Sequence, residues 1–119
     1  EHLKRYSKTY RDSMTKEQLI KKQLSGIKHR AKRLGIAFDL TPEWLSARID
    51  AGCELTGLPF SYKKGSESRE MTASVDKIDP HGGYVKTNCR VILYCLNVFK
   101  GTMSDSEMIA VAKVLVDRA

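Results

Sequence analysis

The stretch Ser74-Val75-Asp76-Lys77-Ile78-Asp79-Pro80-His81-Gly82-Gly83-Tyr84-Val85-Lys86-Thr87-Asn88-Cys89-Arg90-Val91-Ile92-Leu93-Tyr94-Cys95-Leu96-Asn97-Val98-Phe99-Lys100 decides the fold. Its residue types predict a strand from Ala73 to Ile78, a Pro-His-Gly-Gly turn, a second strand from Cys89 to Leu93, and a short helix to about Lys100. Asp76 then lies in the first strand and Asn97 on the helix. A helix packed across the hairpin would let a carboxylate and an amide oxygen converge on one hard cation. Two such ligands leave most positions for water and phosphate, as Mg²⁺ on a nucleic-acid substrate requires.

Outward from this segment, three helix starts are legible. Thr15 caps a helix running to about Leu34, with Ile20, Leu24, Ile27, Ala31 and Leu34 forming one apolar stripe and Gly35 closing it. Thr41-Pro42-Glu43 opens a second helix carrying Trp44, Leu45 and Ile49. Ser104 caps a last helix whose Met108, Val111, Ala112 and Leu115 are expected to face the core. Between them, Ile36 to Leu40 reads as a short strand, Cys53 to Phe60 as a tight turn or small hairpin, and 61–72 as a polar mobile loop. The expected class is α+β in a single domain: a basic tail at 1–13, a basic helix at 14–35, a finger core at 53–100 and a closing helix at 104–118.

Composition narrows the function. The chain has 119 residues, 21 Lys+Arg against 14 Asp+Glu, and a formal charge of +7. At about 100–150 residues per domain this is one domain with a modest core. Residues 1–35 carry 11 basic and 3 acidic residues, a net +8, so the rest of the chain is near neutral at −1. Lys21, Lys28 and Lys32 cluster on one flank of the first helix, with Lys22 and Arg33 behind. A cationic helix on a nearly neutral body fits a polyanion partner, where a solvated helix surface is the plainer alternative. No apolar run approaches the ~18 residues of a membrane span, and no signal-peptide pattern appears. Three Cys are too few for a disulfide scaffold. The expected location is cytoplasmic.

The segment 74–100 resembles the ββα-metal finger of the HNH (His-Me finger) endonuclease superfamily, and more closely the HNH-like proteins of bacteriophages. The similarity extends to His29-Arg30-Ala31-Lys32-Arg33-Leu34-Gly35-Ile36-Ala37-Phe38-Asp39-Leu40-Thr41, to the Cys53-Glu54-Leu55-Thr56-Gly57 turn, and to the closing helix, about 90 residues by the motifs matched. The resemblance implies a metal-dependent endonuclease that hydrolyses phosphodiester bonds in DNA. Asp76 would be a metal ligand and Asn97 the second, Asn88 would brace the loop, and the general-base position falls on Lys77. An ordinary lysine ammonium is protonated at neutral pH and cannot accept a proton. A nearby cation could depress the lysine pKa; otherwise Lys77 would bind or stabilise phosphate, as the Arg common at this position in the phage group would. His81 is the candidate substitute base, and Asp79 a third ligand or the group that orients His81. Mg²⁺ is the expected ion, with Mn²⁺, Ni²⁺ or Zn²⁺ as alternatives.

Each residue also has a plainer role. Asp76 and Asp79 flanking Lys77 would serve as strand salt bridges, Asn88 as a turn residue, and Asn97 as a packing or capping amide. His81 would be an exposed loop residue, and Lys100 a solvated side chain at a helix C-terminus or a phosphate contact. Cys53 lacks a Cys partner three residues on, so no structural zinc is expected; Cys89 and Cys95 read as buried packing. The DNA-gripping set is Lys21, Lys28, Arg30, Lys32, Arg33 and Lys100, on double-stranded DNA with weak sequence specificity. The alternative is a catalytically silent DNA-binding module that keeps the finger. A protein that binds a host factor through 61–72 is a third reading.

Overall fold

The structure is a computed structural model and describes residues 15–61 and 69–119. The tail expected at 1–13, and most of the loop at 61–72, lie outside those residues. Helix α1 spans Lys16–Leu34. Thr15 accepts from the Gln18 N–H while the Gln18 side chain accepts from the Thr15 N–H, so two of the helix's orphan donors are satisfied reciprocally. Gly35, at φ 68°, ends the helix in the left-handed region, and the Ile36 N–H returns to Ala31 O. Leu19, Ile20, Leu24 and Ala31 are buried, with Ile27 packed beside them. Leu34, expected in this stripe, is 52% exposed, because the chain reverses at the next residue and leaves the last turn without a neighbour.

Helix α2, Pro42–Ala51, starts on Thr41, whose hydroxyl accepts from the Trp44 N–H. It buries Leu45 and Ile49 against α1 and the sheet. Strand β1 (Ala73–Lys77) pairs antiparallel with β2 (Cys89–Leu93), Val75 opposite Val91 and Asp76 opposite Arg90. One face of this hairpin carries Ala73, Val75, Cys89, Val91 and the nearby Tyr84 into the core under α1 and α2. Helix α3, Tyr94–Lys100, follows β2 without a break and crosses the opposite face. The open edge of β2 is closed by Glu54, whose N–H donates to Val91 O and whose carboxylate accepts from the Val91 N–H. The Cys53 turn itself is held by backbone bonds from Gly57 N to Cys53 O and from Cys53 N to Leu58 O.

Two expectations are corrected. Residues 36–40 do not form a strand of the sheet; they make one parallel bridge, Phe38 with Tyr84. Its bonds run from Tyr84 N to Ala37 O and from Asp39 N to Tyr84 O, and a Cβ on Gly83 would stand only 2.9 Å from Ala37 O. Glycine permits that approach, and the turn beyond it prevents further rungs. The closing helix α4, Asp105–Arg118, is capped by a Ser104–Glu107 box but buries only Met108 fully. Val111 and Leu115, expected inward, are exposed, Leu115 by 65%. The helix is anchored through its first turn, and the later turns leave the body.

Candidate active site

The β1 face beneath α3 is polar. Ser74 and Asp76, two residues apart on the strand, meet Asn97 and Lys100, one turn apart on the helix. The Asn97 Nδ2 donates to Ser74 Oγ at 2.8 Å and to Val75 O at 3.0 Å. A backbone carbonyl can only accept, so the amide's orientation is determined: nitrogen toward the strand, Oδ1 away from it. Among the described residues Oδ1 has no hydrogen-bond partner.

Asp76 is only 4% exposed and is held by two cations. The Lys100 Nζ donates to both carboxylate oxygens at 3.1 Å and to Lys77 O and Ile78 O. Its side chain has no exposure at all. Arg90, across the ladder, donates from Nε to Asp76 Oδ2 at 2.9 Å and grips Asp105 with its two terminal nitrogens at 2.8 and 2.6 Å. Four charges thus alternate, Lys100, Asp76, Arg90 and Asp105, and tie α3, both strands and α4 together. Lys100 was expected at a DNA phosphate; it is instead buried under α3, because its ammonium finds four oxygens inside the finger. Sequence offers no signal for this beyond its position on the face that Asn97 shares.

Asp105 shows the effect of this network on ionisation. Its carboxyl is held below the usual carboxylate range by the Arg90 hydrogen bonds, against partial burial, with the Arg90 and Lys100 charges adding. A depressed folded-state value stabilises the fold above the unfolded-state value, and that contribution disappears as pH falls through the folded one. Asp105→Asn should therefore lower stability at neutral pH and flatten the stability profile below about pH 4. Urea unfolding at pH 7, 5, 4 and 3 measures it; parallel profiles for the two proteins would refute the assignment.

The other candidates lie along the turn. Asn88 accepts from the Asp79 N–H and donates from Nδ2 to Asp79 O and Gly83 O, stitching both sides of the 79–83 loop. A Cβ on Gly82 would fall 2.6 Å from that Nδ2, so the brace depends on glycine there. Asp79 is exposed and its carboxylate accepts the His81 backbone N–H. It therefore shapes the turn around His81 and does not orient the ring. The His81 side chain is exposed, with no hydrogen-bond partner among the described residues. The Lys77 Nζ stands over the Tyr84 ring, 4.8 Å from its centroid. Lys21, Lys28, Arg30, Lys32 and Arg33 are all exposed along α1, and none of them forms an ion pair among the described residues.

Cys89, the first residue of β2, is buried, and burial followed by the Asp76 charge pushes its thiol up to about 11. It is unsuited to nucleophilic or ligand chemistry at neutral pH. Among the described residues no three His, Cys, Asp or Glu side chains gather into a metal-binding group. A groove of about 1080 Å³ lies between α1 and α2 and does not include Asp76 or Asn97. Its rim carries Glu17, Glu43 and Asp50 as well as Lys21 and Lys28, so its charge is mixed. No described helix is long and apolar enough to cross a membrane.

A hard divalent ion can be tested against the donors present. A carboxylate oxygen has two lone pairs: Oδ2 of Asp76 uses both, on Lys100 and Arg90, whereas Oδ1 uses one, on Lys100. One lone pair on Asp76 Oδ1 and the unpartnered Asn97 Oδ1 remain. Two protein oxygens, one of them anionic, fit Mg²⁺ in donor type and number, since that ion keeps most of its shell for water and phosphate. The ion would share the carboxylate with Lys100.

No family model and no curated protein matches the sequence. Among solved structures the chain is similar to the rare-cutting HNH restriction endonuclease PacI, a protein described for its mechanism of DNA perturbation. The TM-score is 0.58 at 18% identity, over 88% of this chain and 80% of that one. At that identity the likeness concerns the backbone fold alone. This α+β chain has an HNH-like fold built on a ββα finger.

Proposed function

We propose that this protein is an HNH-type endonuclease of the phage-like subgroup, a single domain that hydrolyses phosphodiester bonds in double-stranded DNA. The observation that carries the reading is Asn97: its nitrogen is spent on Ser74 and on Val75 O, which leaves its oxygen without a partner among the described residues. Asp76 and Asn97 would hold a divalent ion, Mg²⁺ before Mn²⁺, Ni²⁺ or Zn²⁺, and such an ion supplies Lewis-acid stabilisation of a phosphoryl oxygen. Lys77, at the strand end, binds phosphate from the Tyr84 side of the hairpin. Asn88 keeps the 79–83 loop in shape, and Asp79 shapes the turn that presents His81. The His81 imidazole is the candidate general base of this loop. The exposed cations of α1 bind the backbone, and phosphate contacts carry little base information, so sequence specificity is weak.

Supercoiled plasmid incubated with the protein and each of the four ions tests this. Nicking is expected, and Asn97→Ala should reduce it about 100-fold or more, while costing the fold only its two amide hydrogen bonds, about 1–3 kcal/mol. The rival is a silent DNA-binding module, and the pairing of Asp76 with both Lys100 and Arg90 favours it. Retained DNA binding with no nicking in any of the four ions would decide for the rival.

A further inference from the structure

Tyr84 is 6% exposed, and its backbone is locked to the 37–39 segment by two hydrogen bonds. Two cations from different elements meet on its side chain. From α1, the Arg30 Nη1 donates to the phenol oxygen at 3.2 Å. From the end of β1, the Lys77 ammonium sits over the ring face. Neither cation has a carboxylate partner among the described residues. The other cation–π pairs among the described residues differ, since each ring receives one arginine and Arg48 is also neutralised by Glu54.

Like charges drawn to one aromatic repel each other, and an anion bridging them offsets that repulsion. The ring's negative face and the phenol oxygen offset part of that repulsion but carry no net charge. Arginine presents a planar fork that suits phosphate oxygens, and lysine a compact point charge. We propose that Arg30 and Lys77 form a two-cation clamp for one DNA backbone phosphate, and that Tyr84 is the positioning residue that sets both. The proposal rests on the reading that the chain binds DNA and adds to it a specific phosphate site. That site joins the cationic helix to the finger, so the phosphate it holds is registered against β1. Tyr84 itself touches neither substrate nor ion in this scheme; it acts through the two side chains it orients.

The test is a double-mutant cycle on DNA affinity, measured by fluorescence anisotropy with a short mixed-sequence duplex in EDTA, across a salt series. Tyr84→Phe keeps the ring and its packing, so Lys77 stays over its face, and removes only the oxygen that fixes Arg30. It should weaken binding about 5- to 10-fold, the scale of one ordinary hydrogen bond. Arg30→Gln should make the salt slope shallower by about 0.9, one phosphate contact. The double variant should bind no more weakly than Arg30→Gln alone, which a merely structural loss at Tyr84 would not produce. Thermal melting of both variants monitors the fold. Additive losses in the cycle, with wild-type binding intact, overturn the clamp and leave the DNA reading standing. No salt-dependent binding by the wild-type protein overturns both.

Discussion

Asp76→Ala should cost about 3–5 kcal/mol of folding stability, the usual penalty for breaking a buried ion pair by removing one partner. Lys100 has no exposed side-chain surface and would keep only two backbone carbonyls and Asp105, 3.9 Å away. Arg90 would lose its Nε acceptor while retaining Asp105. Against a typical total of about 5–15 kcal/mol, such a loss unfolds a substantial part of the population at moderate temperature. Asp76→Asn should be milder, since its amide oxygen can still accept from Lys100. Lys100→Met should also be milder, because Asp76 keeps Arg90 and the methionine fills the same space. Urea unfolding of the three variants at pH 7 gives the order directly. An Asp76→Ala protein within about 1 kcal/mol of wild type would show that the network is not what holds α3 and α4 to the hairpin.

This result bears on any nuclease assay. The conventional experiment removes the acidic ligand and reads loss of nicking as loss of metal. Here the same substitution removes the counter-charge of two cations, so lost activity follows from lost structure as readily as from lost chemistry. Asn97 separates the two, because its amide is bound by neutral partners and its truncation leaves no charge behind.

What was legible in the sequence acts over three or four residues. Thr15, Thr41 and Ser104 begin helices in the structure as caps, and Pro-His-Gly-Gly turns the chain between two paired strands. Asn97 and Asp76 could be assigned to helix and strand by spacing alone. What was illegible depends on long-range pairing. A lysine in a sequence is exposed by default, and nothing local to Lys100 announces that two carbonyls and a carboxylate 22–24 residues earlier will enclose it. Tyr84 looks like an ordinary core aromatic until Arg30, 54 residues away, reaches its hydroxyl. The α4 stripe misled for the opposite reason: apolar periodicity shows that a face exists, and Val111 and Leu115 show that a face can exist without being covered by the described residues.

The last expected result concerns the cationic helix. Replacing Lys21, Lys28, Lys32 and Arg33 by Gln should make the log–log dependence of DNA affinity on salt shallower by about 3.6, at 0.9 per phosphate contact. Between about 50 and about 200 mM salt, that change alone shrinks the wild-type loss of affinity by about 150-fold. The four side chains are exposed and unpaired among the described residues, and Gln is a good helix former. The fold should lose only a few tenths of a kcal/mol, from Lys32 and Arg33 near the helix C-terminus. Charge removal anywhere lowers long-range attraction to a polyanion, so location needs its own control. Lys113 and Arg118 are exposed cations on α4, a helix that sits on the α3 side of the hairpin. If α1 is the DNA face, the Lys113→Gln, Arg118→Gln pair leaves the slope where it was. Equal flattening per charge on both helices would mean that the protein attracts DNA diffusely. The division of the chain into a cationic helix and a near-neutral body would then have no structural meaning for binding.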